Sequence, residues 1–148
     1  FENAYFDRVA PFMGIRETRR LVGEYILTEQ DIFDCAKFDD SIAVSAYPVD
    51  QHHPVGGDCT LMWCPDCHDI PYRSLLPKKI DSLIVAGRCI SATHLALASV
   101  RVMGPAMATG EAAGKAAALS VKHNVQLRDL DVAALQTALR EEGVYLRD

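Results

Sequence analysis

The chain has 148 residues, 49% hydrophobic and 24% charged, which is enough for one globular core and too little for two full-sized domains. A formal net charge of -5 argues against nucleic-acid and anionic-membrane partners, because binding phosphates needs a basic surface that releases counterions. Five cysteines, at 35, 59, 64, 67 and 89, are an odd number for a disulfide framework, so reduced thiols are expected.

Along the chain, Pro11 and Gly14 precede a rough alternation of charged and β-branched or aromatic residues over 15–27, which predicts a strand. Thr28 with Asp31 reads as a helix N-cap with an acidic first turn, opening a short helix that carries Ile32, Phe33 and Ala36 and ends near Lys37. Residues 41–49 alternate and close at Pro48, a second strand. Residues 50–58 form a loop by composition, with His52, His53, Pro54, Gly56 and Gly57 close together. Two short strands are expected on either side of Cys64–His68.

The compact apolar run 83–86, ended by Gly87, predicts a strand buried on both faces of a parallel sheet. Gly104 and Pro105 open a helix to about His123, since proline is favoured where its missing N–H costs nothing. Residues 105–121 are built of alanine and glycine and interrupted by Glu111 and Lys115, so no membrane span is expected. A last helix covers 131–142, with Leu135 and Leu139 on one side and Gly143 as its stop. The chain opens at Phe1 rather than Met, so Phe1 is read as a cloning or processing boundary, and the lack of a basic leader and apolar run in residues 1–10 does not bear on the compartment. The expected compartment is the cytoplasm.

The helix from Pro105 spaces Ala106, Gly110, Gly114 and Ala118 four apart, so one face is a groove of small residues. Two interior glycines cost roughly 2 kcal/mol against alanine, which implies either close helix-on-sheet packing or a special site. The helix start offers the second. Free N–H groups at Ala106, Met107 and Ala108, with the helix dipole, favour an anion there by about 0.3 to 1 kcal/mol. A reduced flavin is such an anion, with its charge at the pyrimidine edge.

Residues 83–94 (LIVAGRCISATH) and 99–114 (SVRVMGPAMATGEAAG) resemble the C-terminal flavin motif of the bacterial FAD-dependent oxidoreductase family with a glutathione-reductase-like and fumarate-reductase-like fold. The resemblance extends through 14–24 (GIRETRRLVGE), 47–52 (YPVDQH) and 70–77 (IPYRSLLP), nearly the whole chain. It implies a mixed α/β fold, a fragment of a two-domain FAD-binding oxidoreductase. Residues 1–79 would be part of the substrate-binding sheet, 80–124 the last strand and helix of the FAD domain, and 125–148 a C-terminal helix. It places Gly87 and Arg88 beside the ribityl and pyrophosphate of FAD, and Val102, Met103, Gly104, Ala106 and Met107 against the isoalloxazine ring. Such enzymes also carry a G-x-G-x-x-G turn, and the nine glycines of this chain contain no such spacing. The expectation is therefore part of an enzyme, inactive and poor at holding FAD without its N-terminal half or a partner chain, and prone to self-association through exposed apolar patches.

Arg16, Arg19 and Arg20 lie close together, and on a strand Arg16 and Arg20 would share a face able to clamp a carboxylate or phosphate; pairing with Glu17 and Glu24 is the alternative. Tyr47, Asp50 and His52 end a predicted strand on what the resemblance makes the substrate side, where a histidine oriented by a carboxylate moves a proton during oxidation of a small molecule; a solvated loop histidine is the alternative for His52. Arg73 is a further catalytic candidate, with Tyr72 beside it. Cys64-Pro-Asp-Cys67-His68 fits the c-type haem attachment pattern, and with Cys59 it offers three cysteines and one histidine to zinc. A redox-active dithiol and a plain structural pair are the other readings of Cys64 and Cys67. A non-catalytic metal-binding or interaction module is thus the competitor to the flavoprotein.

Overall fold

The computed structural model describes residues 2–12, 14–53 and 57–147. Its first element is the short helix α1, Glu29–Phe33. Thr28 Oγ1 accepts the Asp31 N–H at 3.3 Å and Asp31 Oδ2 accepts the Thr28 N–H at 2.8 Å, a reciprocal cap. The helix stops four residues before the expected Lys37, because Cys35 adopts a left-handed conformation, with φ +52. Its N–H then bonds to Ile32 O and that of Ala36 to Asp31 O, which closes the helix.

Four strands follow: β1, Ser41–Ser45; β2, Val49–His52; β3, Cys59–Met62; and β4, His68–Pro71. They are nested, with β2 antiparallel to β3 inside and β1 antiparallel to β4 outside, the latter pairing irregular between Ser41 and Ala43. The two short strands expected around Cys64–His68 are β3 and β4. Strand β1 ends earlier than predicted, because Ser45 Oγ takes the Tyr47 N–H at 3.2 Å and Pro48 has none to give. The predicted loop from Asp50 is instead strand as far as His52, with Asp50 opposite Leu61 and His52 opposite Cys59. The remaining loop residues 54–56, including Pro54 and Gly56, lie outside the described residues.

Two expected strands do not form. Residues 21–27 are extended but bond irregularly to two segments at once: Glu24 and Tyr25 donate to Leu76 O and Arg73 O, Leu21 and Leu27 to Cys89 O and Ser91 O. Only isolated bridges result, Gly23 with Pro77 and Leu27 with Ala92. At Gly23 the approach is close enough that a Cβ would stand 2.6 Å from the Ser91 Cβ. The apolar run 83–86 likewise has no strand partner among the described residues. It is half-buried or exposed and is tied by the Val85 N–H to Leu75 O.

Helix α2, His94–Val100, was not predicted; Thr93 caps it through the Ala96 N–H, and alanine and leucine carry it. Helix α3, Met103–His123, ends where the sequence places it, and helix α4, Val132–Glu141, lies within the predicted span. Asp131 Oδ1 caps α4 by accepting the Ala133 N–H at 3.0 Å. Helix α2 packs on β2, and α3 packs on β1 and α4. Leu27 and Ile42, Ile90 and Leu97, and Leu135 and Leu139, one pair from each third of the sequence, are fully buried in one shared core. Among the described residues no helix is long and apolar enough to cross a membrane.

Candidate functional site

Gly14, Ile15, Arg16, Asp50, Arg88, Arg101 and Val102 line an open cleft of about 650 Å³. Asp50 comes from β2, Arg101 from the end of α2 and Val102 from the cap of α3. The Arg101 guanidinium donates to Asp50 O at 2.8 Å, and that of Arg88 donates to Ile15 O. These bonds reach backbone carbonyls, so neither guanidinium is neutralised by them. Arg16 is exposed and has no hydrogen bond or ion pair among the described residues.

Arg88 sits in a tight turn, Gly87–Cys89, that the chain enters through Gly87 at φ +70, a conformation L side chains rarely adopt. Thr109, fully buried on α3, fixes that turn: its hydroxyl accepts the Gly87 N–H at 3.1 Å and donates to Pro105 O at 2.8 Å. Ala106 packs beside it, 3.6 Å from where a Gly87 Cβ would stand. The sequence reading missed Thr109, which lies off the row of small residues that drew attention.

The start of α3 differs from expectation. The helix opens two residues before Pro105, since proline is tolerated anywhere in the first turn, and Ala106 N–H bonds to Val102 O. The free donors are therefore the N–H groups of Met103 and Gly104, and the side chains of Met103 and Met107 are exposed, at 83% and 73%. Beyond the helix's own backbone, no atom of the described residues lies within 4 Å of a Cβ built on Gly104, Gly110 or Gly114, so these glycines of the small-residue row face open space. On the other side of this helix start, Tyr47, Pro48, Leu61, Trp63, Gly104 and Pro105 line a second, mainly apolar depression.

His52 Nε2 lies 3.1 Å from Asp50 Oδ2, both on β2 and one strand repeat apart, hence on the same face. The other candidates are held elsewhere. Arg20 does not share a face with Arg16: residues 15–20 form no regular strand, and its Nη1 lies 2.8 Å from Glu17 Oε1, close as an ion pair but not aligned as a hydrogen bond. Arg73 is gripped by both oxygens of Asp40, at 2.9 and 3.1 Å, with its guanidinium over the Tyr25 ring, and it does not line the cleft. Tyr72 is buried, its hydroxyl donating to Leu127 O at 2.8 Å and its pKa pushed up to about 12 by burial.

The four proposed zinc ligands are not brought together. Cys59 is exposed on β3 opposite His52, whereas His68 is fully buried at the start of β4. Among the described residues no three of His, Cys, Asp and Glu are arranged to hold a metal ion. Cys67 stays half-buried in the loop before β4 while His68, the first residue of the strand, is buried, a difference that a pattern of neighbouring letters does not register.

A flavin dinucleotide needs cations for its phosphates, N–H donors for its pyrimidine edge and a flat apolar contact. The cleft offers Arg16, Arg88 and Arg101, and the start of α3, which follows its wall residue Val102, adds the Met103 and Gly104 N–H groups and two exposed thioethers, so the donor set fits. Neither a curated protein nor a solved structure matches the chain. The family model described as FAD dependent oxidoreductase matches residues 1–139, and the chain belongs to that family.

Proposed function

We propose that the chain is the C-terminal part of a bacterial FAD-dependent oxidoreductase of the glutathione-reductase-like and fumarate-reductase-like type, and that it is inactive without an N-terminal dinucleotide-binding half or partner chain. The reaction is hydride or electron transfer between a small organic substrate and FAD. The observation that carries this reading is the start of α3, whose free N–H groups and exposed methionines open beside a cleft lined by three arginines. Bound FAD supplies the two-electron acceptor.

The chain's own residues do the rest. The Met103 and Gly104 N–H groups and the helix dipole favour negative charge placed at the helix start. Arg16, with all its donors uncommitted among the described residues, binds a carboxylate or phosphate. His52, oriented by Asp50, takes a proton from the substrate, and Tyr47, Leu61 and Trp63 give an apolar surface for the rest of that molecule. The exposed face of α3, from Met103 and Met107 past Gly110 and Gly114 to Val121, is the surface the other half covers; left bare, it drives self-association.

The test is the visible spectrum after gel filtration, with FAD added, of the chain alone and of the chain together with a dinucleotide-binding half. A flavin band retained only when the half is present is the expected result. A protein that stays colourless with that half, or one that shows a haem Soret band, overturns the reading.

A further inference from the structure

Cys35 occupies a backbone position that favours glycine or asparagine, and a side chain there costs roughly 1 kcal/mol. That conformation aims its sulfur at the loop between β3 and β4, where the Asp66 N–H donates to it at 3.2 Å. Cys64 stands two residues before Asp66 in this loop and is half-buried against the core. Arg147 ties the same two segments from the side, donating to Cys35 O at 3.1 Å and to Cys67 O at 2.8 Å. Free thiols from two distant stretches of sequence, Cys35 on one and Cys64 and Cys67 on the other, are therefore held on adjoining segments, each partly reachable from solvent.

We propose that Cys35 and Cys64 are a reversible thiol pair, which a low-molecular-weight disulfide oxidises to a cross-link between the end of α1 and the β3–β4 loop. The Cys35 sulfur attacks one sulfur of the small disulfide, whose S–S bond breaks and releases the first small thiol. The Cys64 sulfur then attacks Cys35, breaks the mixed disulfide and releases the second. The two cysteines lose two electrons and two protons, and the small disulfide gains them. Burial, and then the neighbouring Cys35, push the Cys64 thiol up, which disfavours its thiolate and keeps it from making the first attack. Cys67 stays outside the pair because its thiol interacts with the Arg147 guanidinium, which also holds its carbonyl at 2.8 Å. This site is independent of the flavin reading.

The experiment treats the intact protein with oxidised glutathione and maps peptides by mass spectrometry without reduction. Peptides containing Cys35 and Cys64 are expected to appear joined, with a rise in Tm of about 5 °C that a reducing agent reverses. Cys35→Gly, which suits the left-handed backbone and so keeps the fold, loses both effects, and Cys67→Ser keeps both. A bridge between Cys64 and Cys67, a lasting glutathione adduct on Cys35, or two free thiols after treatment overturns the proposal.

Discussion

Arg147 and Arg16 show two opposite uses of one side chain. Arg147 is almost wholly buried and saturated: Nε donates to Asp69 Oδ1 at 2.6 Å, and its other nitrogens donate to the carbonyls of Cys67, Cys35 and Ala36. Arg16 lies exposed at the cleft with its donors uncommitted among the described residues. A buried guanidinium with all three nitrogens engaged holds the protein together, whereas an exposed one with spare donors is available to a ligand. The region around β4 is accordingly the structural end of the molecule, and the cleft between β2 and the start of α3 its chemical end.

The largest effect should come from breaking the saturated side. Arg147→Met leaves Asp69, which is 2% exposed, as an uncompensated buried charge, and should cost about 3 to 5 kcal/mol in urea denaturation. A loss below about 1 kcal/mol would remove the distinction between the two arginines.

His68 gives the next largest effect. It is fully buried, has no protein partner on either ring nitrogen among the described residues, and has its pKa lowered to about 4, first by burial and then by Arg147, against opposing effects of Asp69 and Asp31. Above about pH 6.5 neither the folded nor the unfolded state binds this proton. Between there and about 4 the unfolded chain takes it and the native one does not, so stability falls with pH, by about 3 kcal/mol in all. Denaturation midpoints of the protein and of His68→Leu, compared at neutral and acid pH, read this directly. A gap between them that does not change with pH would rule the mechanism out.

The smallest effect on stability belongs to Arg16→Ala, within about 0.5 kcal/mol. Its consequence is instead a weaker grip on a carboxylate or phosphate ligand, on the order of tenfold or more in Kd, measured by titration on the chain assembled with its dinucleotide-binding half and FAD. Unchanged affinity would take Arg16 out of the proposed site.

The elements written in local signals were legible in the sequence. Thr28 and Asp31 announce α1, Asp131 and Gly143 bracket α4, and the predicted end of α3 at His123 holds. Residues 21–27 and 83–86 were misread because alternation and apolarity report an extended or buried chain, not the partners that turn it into a strand. The end of α1 was hidden because a cysteine stands where glycine would have marked it. At the site, the His52–Asp50 pair follows from spacing along one strand. The fixing of Gly87 by Thr109, and the capture of Arg73 by Asp40, depend on contacts between distant segments that no local pattern encodes.

The nesting of the four strands sets an order of assembly. Strands β2 and β3 face each other across a short connection, so they can zip first at little loop-closure cost. Once they have, Ser45 and His68 are already near one another, and β1 meets β4 without the entropy loss of closing the whole intervening chain. Asp50 and His52 therefore belong to the early-forming hairpin, while Arg16 and Arg101 reach the cleft only as their own segments dock. Amide hydrogen exchange during refolding should protect Asp50 and His52 before Arg101, so the site gains its proton-handling pair before its cations.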